Sequence, residues 1–427
     1  MKALVIGNGG REHCLCWKLS QNSRIDRLYC SPGNGGTALL GTNVPLATPR
    51  EYLQFAKEQI IDLTIIGPEA YLAEGIVDLF LSEKLPVIGP NRAAARLESS
   101  KIFAKQFMNR NHIPTADYEI FDQSTEAFRY LGSNYRYPLV LKADGLAAGK
   151  GVAIAQDSDE ARIIMKEFML ERRLGAAGER MVVEEFLSGE EATVMMALDG
   201  RTYRMFPFSQ DHKRIGEGDI GPNTGGMGAY SPTPVVDKDV QVRLEREIIG
   251  PLMEGLAREK LFYRGFLYLG LMIDEMRRPR VLEFNVRLGD PEAQVILPRL
   301  QTDWLELCLA IWEGKLSETI LAESAGANLA VVLATHGYPG HYDTGMVIDG
   351  LEQFENRPDD EVLVFHAGTK RQENKTITTS GRVMNVCGRG KDLLEAKDRA
   401  YQAISQIRFD KMYYRRDIGY RAWSQRP

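Results

Sequence analysis

Leu139-Val-Leu-Lys-Ala-Asp-Gly-Leu-Ala-Ala-Gly-Lys-Gly-Val-Ala-Ile-Ala155 reads as two short apolar strands, 138–142 and 152–155, around a loop of small residues. Glycine and alanine leave such a backbone free to fold its N–H groups over an anion, and Lys142 and Lys150 add positive charge. The spacing is not the phosphate loop Gly-x-x-x-x-Gly-Lys-Ser/Thr, because Gly151 stands where the hydroxyl residue belongs. On these residues alone the loop is either a hairpin tip or a flexible cover over a polyphosphate.

Upstream the grammar is different. Lys2-Ala-Leu-Val-Ile6 is a buried strand running into Gly7-Asn-Gly-Gly10 and a helix from about Arg11. Strands near 28–30, 62–66 and 86–89 alternate with helical stretches, which predicts a doubly wound parallel sheet closing near Gly89-Pro90. Gly7-x-Gly9 is two-thirds of a dinucleotide fingerprint, but Glu12 replaces the third glycine and Ser31-Pro32 stands where a ribose-binding acid is expected. A nicotinamide dinucleotide is therefore not expected; the turn is a tight turn or a resting place for a phosphate at a helix N-terminus.

Downstream, a helix carrying Lys101 and Lys105 on one face leads to Ile113-Pro114. Two hairpins are expected: 181–185 with 192–198 across Ser188-Gly189, and 270–274 with 280–286 across Arg277-Arg-Pro279. The strand Val281-Leu-Glu-Phe-Asn-Val-Arg287 alternates, placing Glu283, Asn285 and Arg287 on one face and Leu282, Phe284 and Val286 toward a core. Glu and Asn offer hard oxygens to Mg²⁺ or Mn²⁺, and Arg287 suits a carboxylate or phosphate; a solvated strand face is the alternative. Leu288-Gly-Asp-Pro-Glu292 would end that strand in a turn. Gln210-Asp-His-Lys-Arg214 and Gly221-Pro-Asn-Thr-Gly-Gly-Met-Gly228 join charges to adaptable backbone, either as a surface loop or as a substrate site. A third unit begins near 327, with strands at 329–334, 362–365 and 383–387 and a helix over 392–407.

The 427 residues, 44% hydrophobic and 26% charged, imply two to four packed domains. A net charge of −5 gives no reason to expect nucleic acid or an anionic membrane as partner. The cysteines (Cys14, Cys16, Cys30, Cys308, Cys387) are odd in number and lack metal-site spacing, the six histidines form no metal cluster, and no signal peptide or membrane span is visible. A cytoplasmic protein is expected. Gly-x-Ser-x-Gly is absent, so a nucleophilic serine has no support.

Read in order, Val5-Ile-Gly-Asn-Gly-Gly-Arg-Glu-His13, Ile66-Gly-Pro-Glu69, Lys142–Gly151, Ser209–Arg214, Gly221–Ser231, Glu283-Phe-Asn285, Arg287 with Gly289–Glu292, and Phe365–Thr369 through Asp417-Ile-Gly419 closely resemble the phosphoribosylamine–glycine ligase family of ATP-grasp enzymes in purine biosynthesis. The resemblance spans essentially the whole chain; 221–231 is its most specific part. It implies an α/β and α+β multidomain protein: a Rossmann-like pre-ATP-grasp domain (1–103), an ATP-grasp domain (104–326) with a mobile lid over about 118–190, and a small α+β domain (327–427). It implies that ATP joins glycine to 5-phosphoribosylamine through glycyl phosphate, giving glycinamide ribonucleotide, ADP and phosphate. ATP would meet Lys105, Lys142, Gly149, Lys150, Gly151, Glu184, Glu185, Leu187 and Glu191; Glu283 and Asn285 would bind Mg²⁺ or Mn²⁺. Asp211, Lys213 and Arg287 would be catalytic, and Gly9, Gly10, Glu69, Arg214, Gly225 and Asp290 would line the substrate side. The partners would be these small molecules alone, with the chain a monomer and a dimer left open. Cys14 and Cys16 stand where the family often has alanine, and Val286 where it often has cysteine.

Overall fold

The computed structural model describes residues 1–133, 136–147, 150–355 and 361–424. Lys2–Gly7, Arg27–Pro32, Leu63–Ile66 and Val87–Pro90 form a parallel sheet with Lys2–Gly7 in its interior. Alternation along the first strand shows why the sheet is wound on both faces. Leu4 and Ile6 pack with Tyr52, Ala56, Ile76 and Phe80, whereas Ala3 and Val5 pack with Cys14, Leu15 and Leu19. Each fully buried aliphatic side chain there contributes about 1.5–3 kcal/mol, so two covered faces need a run of apolar residues and not an alternation with polar ones.

This sheet does not end at residue 90. Gly89 pairs with Arg264 and Pro90 with Tyr263, antiparallel. With the short parallel strand Thr42–Asn43 beside Arg27–Pro32, Tyr263–Ile273, Glu190–Asp199, Tyr203–Met205 and Pro279–Asn285 thereby extend it to nine strands among the described residues. The crossing is tight: a Cβ on Gly265 (φ +156°) would lie 2.8 Å from the Gly89 Cα, so a side chain there would force the strands apart.

A separate antiparallel sheet, ordered Tyr118–Phe121, Met181–Glu185, Leu139–Ala143, Val152–Ala155, carries the glycine loop at its edge. A third sheet joins Gln210–Asp211 and Gly228–Ser231 to Ala327–Thr335, Arg382–Gly390, Val362–His366 and Met412–Tyr413. Helix Leu393–Ile404 covers that sheet through Ala396, Ala400, Ala403 and Ile404. The third domain packs on the first: His13 Nδ1 accepts from the His366 N–H at 2.8 Å, and Asn34 Nδ2 donates to the His366 carbonyl at 2.9 Å.

The hairpin expected across Arg277-Arg-Pro279 forms. The one expected across Ser188-Gly189 does not. Met181–Glu185 belongs to the small sheet, whereas Glu190–Asp199 pairs with Tyr263–Ile273 in the large one. Gly189 turns the chain between sheets at φ +148°, where a Cβ would lie 2.2 Å from the Ile273 carbonyl oxygen. Leu282 also departs from expectation. A register shift between Gly270 and Leu271 sets it in a small apolar group with Ala116, Leu187 and Met272, away from the main core that Phe284 and Val286 enter. Among the described residues no helix is long and apolar enough to cross a membrane, and all five cysteines are buried free thiols.

Candidate active site

Helix Lys101–Arg110 starts at Ser100, whose hydroxyl accepts from the Phe103 N–H at 3.1 Å. One turn separates Lys101 from Lys105. Lys105 Nζ lies 3.0 Å from Glu184 Oε2, 2.8 Å from Thr115 Oγ1 and 3.3 Å from the Ala116 carbonyl. From the opposite side, Lys142 Nζ reaches the same Glu184 oxygen at 2.9 Å and the Leu282 carbonyl at 3.0 Å. The side chains of Lys105, Lys142 and Glu184 are 2%, 7% and 2% exposed, and Glu184 Oε1 has no hydrogen-bond partner among the described residues. Two ammonium groups thus share one carboxylate in a dry place, leaving one uncompensated positive charge. Burial, reinforced by Lys142 and opposed by Glu184, brings Lys105 down to about 8. A surplus buried charge is costly unless an anion completes it, and a phosphate beneath the glycine loop would.

Glu185 points the other way, as strand alternation requires. Its carboxylate accepts from the Asp117 N–H at 3.0 Å and pairs with Arg280, so its side chain is not at the lysines. Leu187 joins Ala116, Met272 and Leu282 in the small apolar group beside them, a surface suited to a planar base. Gly149 lies outside the described residues. Lys150 is exposed, and the Gly151 carbonyl accepts from the Ala143 N–H at 2.8 Å, closing the root of the loop. Asp144 fastens that root: Oδ1 accepts from Ser100 Oγ at 2.8 Å and from the Ile102 N–H at 3.1 Å, and Oδ2 pairs with Arg180.

On the other side of the cleft, Glu283 stands between two lysines, with Lys213 Nζ and Lys101 Nζ each 3.8 Å away. Lys213 Nζ also lies 3.1 Å from Glu191 Oε2, so Glu191 sits at the junction of the nucleotide and substrate sides. Burial raises the Glu283 carboxyl, but Lys213, Lys101, Lys142 and Arg287 outweigh it and hold it at about 2. Asn285 Oδ1, on the same face, accepts from Arg287 Nη2 at 3.2 Å. An ionised carboxylate 25% exposed and a neighbouring amide oxygen are two hard donors fit for a divalent cation. No group of three or more His, Cys, Asp or Glu residues able to hold a metal exists among the described residues. A cation here would therefore take its other ligands from phosphate or water.

Arg287 is clamped by Glu98 at 3.3 Å and Glu69 at 3.4 Å. Burial lowers its affinity for a proton and the surrounding carboxylates, Glu98 first, raise it by more. Asp211 is pushed up to about 7, chiefly by burial and against the pull of Lys213. Arg214 turns onto its own ribbon, donating to the Gly221 carbonyl at 2.7 Å, and among the described residues no bond draws it toward Glu283.

The first-domain loop reaches the cleft through Asp290. Arg11 N donates to Asp290 Oδ2 at 3.2 Å, and a Cβ on Gly9 would lie 2.9 Å from that oxygen. Glu12 fills the turn itself. It accepts from the Gly9 N–H at 2.6 Å, and a Cβ on Gly67 would meet its Oε1 at 2.0 Å. The Gly9 N–H is thus spent on the chain's own carboxylate, and a phosphate resting on it in dinucleotide fashion has no room. Gly10 faces the third domain, where its Cβ would meet Asn385 Nδ2 at 2.3 Å. Lys101 touches Glu283, Glu98 holds Arg287, and Tyr338 and Arg382 hold Gly225; none of the four was singled out for the site by sequence. Lys101 carried a signal in its i, i+4 relation to Lys105; the other three carried none.

Family models described as phosphoribosylglycinamide synthetase N domain, ATP-grasp (A) domain and C domain match residues 1–98, 99–293 and 328–421. The phosphoribosylamine–glycine ligase of Vibrio cholerae is 48% identical over 426 residues, covering 99% of this chain and 98% of that protein. The crystal structure of phosphoribosylamine–glycine ligase from Thermotoga maritima superposes with a TM-score of 0.85 at 33% identity, covering 98% and 100% of the two chains. The biotin carboxylase domain of 2-oxoglutarate carboxylase from Hydrogenobacter thermophilus, solved with MgADP, ADP and bicarbonate, shares the fold: TM-score 0.73, 16% identity, 97% and 91% coverage.

Proposed function

Because the chain belongs to the phosphoribosylglycinamide synthetase family, an ATP-grasp ligase family, we propose that it joins glycine to 5-phosphoribosylamine at the expense of ATP, releasing ADP and phosphate. One observation supports this above others. The pair of lysines on Glu184 and the Glu283–Lys213–Arg287 side adjoin, Glu283 being flanked by Lys101, one helical turn from Lys105, and by Lys213. That is a track from a polyphosphate to a carboxylate.

The chemistry follows from the charges. A carboxylate is a poor acyl donor, so glycine's carboxylate first takes the terminal phosphoryl group of ATP. The amine of phosphoribosylamine then attacks the acyl carbon, phosphate departs, and the amide remains. Such transfers depend on alignment and charge neutralisation and need no protein nucleophile. Lys105 and Lys142 hold phosphate oxygens, Arg287 and Lys213 orient the carboxylate, and Asp211 at about 7 takes the proton that the attacking amine sheds. Glu283 and Asn285 would hold a divalent cation, Mg²⁺ or Mn²⁺, which would supply charge neutralisation at the transferring phosphate. The loop over 145–151 excludes water from the acyl phosphate. Glu185 takes part only through its backbone, since its side chain is committed to Asp117 and Arg280. Domain limits at 103 and 326, a single-chain working unit and a cytoplasmic location with unpaired thiols go with the same reading.

The test is ADP release with Mg²⁺ and glycine, with and without phosphoribosylamine generated from ribose 5-phosphate and ammonia. Turnover that needs both substrates, and fails with alanine, formate or bicarbonate, is expected. ADP release indifferent to glycine would discard the substrate and keep the ATP-grasp chemistry.

The lysine pair makes a second prediction. The free enzyme's Lys105 loses its proton near pH 8. Below that pH its ammonium is available to ATP; above it, progressively not. The kcat/KM for ATP should fall toward tenfold per unit above about pH 8, and a fall on the acid side, below about pH 7, belongs to Asp211. A profile still flat at about pH 9.5 would show that the Lys105 charge is not used.

A further inference from the structure

Two segments of the substrate side are held by contacts that originate in the third domain. Gly225 is grasped at both ends: its N–H donates to Tyr338 Oη at 3.0 Å, and its carbonyl accepts from Arg382 Nη1 at 2.7 Å. The same Nη1 donates to the Asp290 carbonyl at 2.7 Å and to the Gly226 carbonyl at 3.4 Å, with Asp290 Oδ1 3.6 Å away. There is no slack between the two segments. A Cβ on Gly226 (φ +114°) would lie 2.6 Å from Pro291 Cδ.

From Gly225 the constraint passes inward. Thr224 donates to the Lys213 carbonyl through its N–H at 2.7 Å and its hydroxyl at 2.8 Å. Gly226 N donates to Thr224 Oγ1 at 3.0 Å, and Met227 N donates to the His212 carbonyl at 2.8 Å. Beyond lies Lys213 Nζ, between Glu191 and Glu283. A single guanidinium nitrogen therefore fixes both the backbone behind Lys213 and the turn that presents Asp290.

We propose that Arg382, with Tyr338 in support, is a positioning residue of the ligation: the third domain sets the spacing between Lys213 and Asp290 on which capture of the phosphorylated amine depends. This rests on the reading of the cleft given above. Arg382 acts on two segments of the substrate side and, among the described residues, is not bonded to the lysine pair that serves ATP, so its removal should separate the substrates kinetically.

Arg382→Met keeps the stem and removes the donors; Arg382→Lys returns one cationic donor; Tyr338→Phe removes only the Gly225 acceptor. We expect Arg382→Met to lower kcat/KM for phosphoribosylamine about 10- to 100-fold. KM for ATP should stay within about twofold of the parent. Arg382→Lys should recover part of the loss, and Tyr338→Phe should show a smaller loss of the same kind. Parent-like constants for phosphoribosylamine would overturn the proposal. So would an equal loss for all three substrates that tracks a lowered Tm, which marks a merely structural bolt. If Arg382→Met does not fold, Tyr338→Phe decides by the same ratio. A parent enzyme that turns over another carboxylate and acceptor would refute the substrate assignment instead, and the same ratio read on that acceptor still tests Arg382.

Discussion

Glu283→Ala is expected to lower kcat about 10³-fold while the protein stays folded. Glu283 provides one of two hard oxygens on its strand face and is the carboxylate held at about 2, so it is ionised at every working pH. Its removal takes away the anchor for a cation and leaves Lys101 and Lys213 to face each other across the gap. Those lysine side chains are 18% and 29% exposed, so their repulsion is screened by solvent and the fold should tolerate it. Steady-state ADP release across a Mg²⁺ titration, beside a thermal melt, measures both halves. Activity within about tenfold of the parent at saturating Mg²⁺ would remove Glu283 from the metal site.

The largest loss of stability is expected at Glu184. Glu184→Ala should destabilise the protein by about 3–5 kcal/mol, because it strands two lysines that are almost wholly buried. Lys142→Met makes the complementary case. It leaves Lys105 and Glu184 as a balanced pair, so it should cost far less stability while still weakening ATP binding. Urea unfolding of the two variants, with ATP titrations beside it, tests the argument from surplus charge. A Glu184→Ala loss below about 1 kcal/mol, or a larger loss for Lys142→Met, would contradict it.

Local pattern carried most of what could be read ahead of the structure. The face shared by Glu283, Asn285 and Arg287 follows from a period of two within seven residues, and the doubly wound sheet follows from apolar runs between helices. The mistaken hairpin at 181–198 had the same local grammar as the correct one at 270–286. What separates them is Glu190 pairing with Ile273, more than eighty residues away, which no short window contains. Leu282 was misassigned because a one-residue register shift moves a side chain off its expected face without changing the sequence pattern. Glu98 and Arg382 gave no warning for a related reason. Glu98 receives the Val286 N–H and Arg382 grips Gly225 and Asp290, so their roles exist only once distant segments meet. Glu12 shows the converse: its departure from the glycine fingerprint was visible, and the structure supplies the reason, a carboxylate that seals the turn from within.

The Gly89–Arg264 and Pro90–Tyr263 pairs have a bearing on how such a protein can be taken apart. Cutting the chain at residue 90 would not release a module with a finished surface; it would leave Val87–Pro90 and the Tyr263–Arg264 end of the adjoining strand as raw edges inviting foreign partners. The small sheet bearing the glycine loop has no such seam, since it shares no strand with the large one. An engineer wishing to exchange the loop over the phosphates should therefore transplant that sheet whole, and leave the first domain, the carboxylate strand and the base surface of Met272 and Leu282 as a single inherited block.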